Sequence, residues 1–174
     1  NSLINDIIVS SEKIYPIGFG TNVNNSSWKQ TFINPCMRLS SYQPGSIGFT
    51  PHFDSSYVQS YNIRSIYSIV IYLTSNKETQ TKFYDPPKNN KINVNGICVD
   101  EEIRLNGGLD KYQSWLSNAE QGDALIFAHD ILHSGIPNIS QQQKIVLRTD
   151  IVFELLGYEK NLFPSQSILN KPEY

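Results

Sequence analysis

The chain has 174 residues, 39% of them hydrophobic and 17% charged, a composition that fits one globular domain with a sizeable core and excludes a disordered chain. Its net charge of -2 leaves no field to draw it to nucleic acid or to an anionic membrane, and no apolar run approaches a bilayer span. Two cysteines, Cys36 and Cys98, allow one bridge at most, which excludes a disulfide framework and accords with a reducing compartment.

Taken in chain order, the opening NSLINDIIVSSEK carries an acidic residue where a secretory leader has basic ones. The reading therefore expects a cytoplasmic protein and leaves the secretory pathway open. Residues 3 to 14 are expected as a short helix with Leu3, Ile7 and Ile8 on one stripe, and 21 to 27 as a polar loop. Strands are expected over Met37 to Tyr42 and Thr50 to Phe53. The run 64 to 74, RSIYSIVIYLT, is dense in β-branched and aromatic residues and makes the clearest strand. Thr81 to Tyr84 makes a short one that ends at Pro86 and Pro87. Residues 85 to 121 are read as an irregular insertion over one end of the fold, with KYQSWLSNAE as a short helix. Ala124 to Phe127 follows a Gly-Asp turn, and Lys144 to Phe153 is a second long strand. In that strand Lys144, Val146, Arg148 and Asp150 share one face, because side chains alternate. Many strands parted by turn residues predict a mainly β single domain, a sandwich or jelly roll, with its core over about 36 to 155.

The chain has only three histidines, so each can be weighed. His52 and Asp54 stand two apart in GFTPHFD. On a strand, such a pair points to one face and can reach one ion. Downstream, GDALIFAHDILHSGIPN carries His133 after a strand and turn. Two imidazoles and one carboxylate make the facial set of non-haem Fe(II) oxygenases, which leaves positions open for a cosubstrate and dioxygen. A dicarboxylate cosubstrate needs a cation for its far carboxylate, and Lys144 and Arg148 both qualify. The competing readings are a surface histidine beside an Asp turn, and cations that merely cap or pair at a strand surface.

These stretches resemble the Fe(II)/2-oxoglutarate-dependent dioxygenases, in particular their prolyl 4-hydroxylase-like branch, from about Arg38 to Phe153. YQPGSIGFTPHFD is similar to that branch's approach to its His-x-Asp. SIVIYL is similar to its cosubstrate-binding strand, TKFYD to the strand usually introduced by Gly-Gly-x-Thr, and HSGIPN to the turn of the last metal histidine. Glu78 and Thr79 stand where the Gly-Gly pair is usual. The resemblance implies a double-stranded β-helix, cupin-like, that holds Fe(II) by His52, Asp54 and His133. It implies 2-oxoglutarate near Tyr42, Tyr72 and one of Lys144 and Arg148, with dioxygen consumed and ascorbate as a candidate reductant. The implied reaction hydroxylates an unactivated C–H bond, first of all in a prolyl residue of a protein or peptide, and releases succinate and carbon dioxide. A lysyl residue or a small metabolite is the alternative substrate. Asp54, a carboxylate where halogenating relatives have a small residue, argues for hydroxylation. Tyr57, Tyr61 and Trp115 are candidate substrate contacts. The oligomeric state stays open.

Three rival readings stand beside this one. His129 and His133 imitate the H-x-x-x-H of zinc peptidases, which requires both on one helix face. A dioxygenase fold that only binds is a second. A nucleic-acid demethylase is a third, disfavoured by the acidic balance and the lack of a basic stripe.

Overall fold

The computed structural model describes residues 27–60, 62–74, 80–87 and 99–156. The helix expected over 3–14, nearly all of the loop over 21–27, Tyr61 and Cys98 lie outside them. Among the described residues ten strands run in chain order: β1 (Ser27–Ile33), β2 (Arg38–Tyr42), β3 (Phe49–His52), β4 (Val58–Ser60), β5 (Ile63–Tyr72), β6 (Thr81–Asp85), β7 (Gln113–Leu116), β8 (Ala124–Ala128), β9 (Leu132–Gly135) and β10 (Lys144–Leu156). One helix, α1 (Val99–Leu105), and a 3-10 turn over Leu109–Lys111 lie between β6 and β7.

All pairings are antiparallel and fall into two sheets. The larger is built on β10 and β5, the two long β-branched runs, side by side at its centre. The first half of β10 pairs β2 and its second half pairs β1, so those two strands share one edge in tandem. The smaller sheet has the order β3-β9-β6-β7. The chain crosses from one sheet to the other between β2 and β3, β3 and β4, β5 and β6, β7 and β8, β8 and β9, and β9 and β10. This alternation is a jelly roll, the double-stranded β-helix of the sequence reading.

Strand alternation then sorts the core into layers. Between the sheets lie Val70, Tyr72, Phe83, Phe127 and Val146. The opposite face of β5 and β10 contributes Tyr67, Ile69, Ile151 and Phe153 to a second cluster, in which Ile69 and Ile151 are fully buried. A third cluster lies on the outer face of the smaller sheet. There Tyr84 and Leu132 pack with Phe53, Val99 and Ile103, so α1 seals that face.

Two expectations are corrected. KYQSWLSNAE is not a helix: Gln113–Leu116 is strand β7, paired with β6. Its exposed edge position weakens the hydrophobic alternation that marks inner strands. The segment read as an insertion thus supplies an edge strand of the smaller sheet. Strands β1 and β4, absent from the reading, are held by pairing with β10 and β5 rather than by their own composition. No helix among the described residues is long and apolar enough to cross a membrane.

Candidate metal centre

His52 is the last residue of β3 and pairs in register with His133 on β9, so both imidazoles leave the same face of the smaller sheet. Gly48, which leads into β3, is bound to its place by geometry. Its φ is +80°, and a Cβ there would overlap the backbone of Gly135 and Ile136. After β3 the chain turns Phe53 outward into the third cluster and brings Asp54 back inward. The Asp54 N–H donates to the His129 carbonyl (3.1 Å), which fixes the turn.

The three side chains converge. His52 Nε2 lies 3.5 Å from Asp54 Oδ1, and His133 Nε2 lies 3.7 Å from Asp54 Oδ2. Among the described residues, these three form the group whose ligand atoms lie within 4.8 Å of one another. His52 Nδ1 donates to the Thr50 carbonyl and His133 Nδ1 to the Ile131 carbonyl, each at 2.9 Å. A carbonyl only accepts, so Nδ1 of each ring carries a proton, and in the neutral tautomer Nε2 is the atom left as a ligand, facing Asp54.

The acid is equally prepared. Burial alone would raise the Asp54 carboxyl, but a 2.5 Å hydrogen bond from Ser68 Oγ, the charge of Arg148 and, in their protonated forms, His52 and His133 outweigh it. Its carboxyl is held well below the usual range. For His133, burial dominates and holds the imidazole below its ordinary value, neutral at pH 7. Asp54 Oδ1 is buried and pairs with the Arg148 guanidinium. A buried carboxylate beside two imidazole Nε2 atoms that no backbone group occupies fits a divalent ion of the iron type.

A cavity opens beside this group. Phe127, whose ring edge meets His133 at 4.6 Å between centroids, forms one wall. Ser40, Tyr42, Val70, Lys144, Val146 and Arg148 supply the rest of its larger-sheet side, and Thr81 of β6 lies on the smaller-sheet side. Lys144 is 5% exposed and has no carboxylate partner among the described residues. Its ammonium sits over the rings of Tyr42 (5.3 Å) and Tyr72 (5.5 Å), and burial pushes it down to about 8. Lys144 and Arg148 share the cavity face, as alternation predicts, but their surroundings differ: Arg148 already meets Asp54.

The other expected residues scatter. Tyr72 does not line the cavity; its hydroxyl is 2.7 Å from Thr81 Oγ1 and 3.3 Å from Ser117 Oγ. Tyr57 and Trp115 are exposed and lie outside the cavity wall, Trp115 stacked on Phe83 at 5.6 Å between centroids. His129 and His133 do not share a helix. Residue 129 sits in a turn and 133 on β9, and His129 Nε2 lies 3.6 Å from Asp150, so the H-x-x-x-H reading is overturned. Ser68, Thr81 and Phe127 escaped the sequence reading. Alternation back from Tyr72 along β5 places Ser68 on the inner face, a signal that could have found it.

No protein-family model matches the chain, and no curated protein matches it. Among solved structures it is similar to EvdMO1, with 18% identity and a TM-score of 0.46 over 74% of this chain and 27% of that one. It is also similar to SnoN, a non-haem α-ketoglutarate-dependent epimerase from nogalamycin biosynthesis (12%, TM-score 0.49, 68% and 47%). A third is a viral collagen prolyl hydroxylase of Paramecium Bursaria Chlorella virus-1, solved with 2OG (13%, TM-score 0.44, 88% and 73%). The chain spans less than half the length of the first two.

Proposed function

We propose that this domain is an Fe(II)- and 2-oxoglutarate-dependent oxygenase that hydroxylates an unactivated C–H bond. The observation that carries the reading is a pairing within one cavity. His52 and His133, which converge with Asp54 and have Nδ1 engaged by backbone carbonyls, lie on one wall, and a buried lysine with no counter-ion among the described residues lies on another. His52, Asp54 and His133 would hold the metal. When bound, the metal with its cosubstrate supplies the oxidising chemistry: dioxygen is reduced, 2-oxoglutarate is decarboxylated to succinate and carbon dioxide, and the substrate C–H bond gains oxygen.

The chain's own part is positioning. Thr50 and Ile131 carbonyls aim the two imidazoles, and Ser68 holds one oxygen of Asp54. Lys144 receives the far carboxylate of the cosubstrate in a walled-off place, where an ion pair is stronger than in water. Tyr42 closes the same end, its hydroxyl raised by burial and so kept neutral. Arg148 serves the metal end, against Asp54. Phe127 and Val146 exclude water. A prolyl residue of a protein or peptide is the first substrate class, by the resemblance of 42–54 and 133–138, with a lysyl residue or small metabolite as the alternative.

The test is anaerobic titration with Fe(II) and then 2-oxoglutarate, observing the weak visible band of a chelated keto acid. The band should appear, and should vanish in Asp54→Ala and His133→Ala. A folded protein without it would be a binding module rather than an oxygenase.

A further inference from the structure

The inner face of β2 carries Tyr42, Ser40 and Arg38, opposite Lys144, Val146 and Arg148 on β10. Ser40, Val146 and Arg148 line the cavity, and Arg38 stands one step beyond them, its side chain 52% exposed. Two arginines directly across a strand pair repel unless anions separate them. Here Arg148 meets Asp54, and Arg38 meets Asp150 at 3.1 Å. Asp150 is itself 2% exposed and also accepts from Asn34 Nδ2 at 3.3 Å. It is a buried anchor, out of reach of a ligand. It holds Arg38 by one nitrogen, Nη2, while a guanidinium has five N–H donors in a fixed fork. The remaining donors of Arg38 form no other hydrogen bond among the described residues.

We propose, building on the oxygenase reading, that the substrate carries an anionic group, carboxylate or phosphate, and that Arg38 at the cavity rim receives it. A pre-oriented guanidinium, tethered on one side and open on the other, is a ready fork for such a group. Charge balance runs the same way. With a divalent ion on Asp54 and a dicarboxylate on Lys144, the ion and the three basic side chains outweigh the two acids and the cosubstrate. A cationic substrate would meet Arg38 before any acid. A neutral one would cover its free donors without replacing their water.

The experiment uses protein loaded with Fe(II) and saturating 2-oxoglutarate, held anaerobic. Calorimetric titration compares N-acetyl-L-proline with N-acetyl-L-prolinamide, and phenyl phosphate with phenol. The acid of a pair should bind about ten to a hundredfold tighter than its neutral partner, the range of a charge-assisted hydrogen bond. The pair that shows it separates carboxylate from phosphate. Arg38→Gln should abolish the preference and Arg38→Lys should retain part of it. Arg64→Gln, an outward arginine over Trp28, should leave it intact. Equal binding within both pairs, binding of the neutral members alone, or no binding of either overturns the proposal. The chelate band in the same wild-type sample reports separately whether the oxygenase reading holds.

Discussion

At the scale of single residues, the centre depends on which atom of each side chain is already engaged. His52 and His133 spend Nδ1 on backbone carbonyls, and Asp54 spends Oδ2 on Ser68. Truncation of any of the three to alanine should lower metal affinity by more than the roughly 10–100-fold that loss of an outer partner costs. His129→Ala should keep metal binding, because that ring faces Asp150; calorimetric metal titration checks both. The two cations separate on the same logic. Lys144 is buried with no counter-ion among the described residues, whereas Arg148 abuts Asp54. Lys144→Ala should raise the 2-oxoglutarate dissociation constant at least about tenfold and by more than Arg148→Ala does. The reverse order in a chelate-band titration would exchange their roles. Affinity for 2-oxoglutarate should also fall as pH rises through about 8, where Lys144 of the free protein loses its proton. The sign for folding is opposite. The folded lysine binds fewer protons than the unfolded one from about 8 up to its ordinary value of 10.5, so its burial penalty is relieved as pH rises through that window.

At the scale of elements, the centre is a matter of register. His52 opposes His133 only because β3 and β9 pair as they do, and the close approach of Gly48 to the Gly135 carbonyl helps set that pairing. Gly48→Ala should cost more than about 1 kcal/mol, since a positive φ and a backbone overlap both oppose it. It should also weaken metal binding without touching a ligand. Urea denaturation and metal titration of one preparation would check the pair of effects, and unchanged values in both would show that β3 tolerates the shift. Much at this scale was legible beforehand. The β-branched runs that became β5 and β10, and the two-residue spacing of His52 and Asp54, are local patterns with local causes. Strand β7 was not, because an edge strand with four exposed residues has no alternation to read.

At the scale of the whole molecule, the jelly roll gathers one wall of the cavity from each sheet, so ligand binding should brace the two against each other. Redox-silent Mn(II) with 2-oxoglutarate at about 100 times the dissociation constant should add about 2.7 kcal/mol to stability. The matching rise in Tm should disappear in Asp54→Ala. A rise that persisted there would place the binding elsewhere.

The division between what the residues announce and what folding decides follows range. Composition, alternation and spacing determined the mainly β class, the two long strands and the pairing of His52 with Asp54, since each is set within a few residues. The identity of the neighbours was decided only by tertiary structure. Whether Lys144 or Arg148 would be left without a counter-ion depended on where Asp54, fourteen residues from Ser68 along the chain, came to rest against β10. Likewise His129 became a partner of Asp150 rather than of His133 because its chain turned before β9 instead of continuing as a helix. Such contacts link distant segments, and no local pattern encodes them.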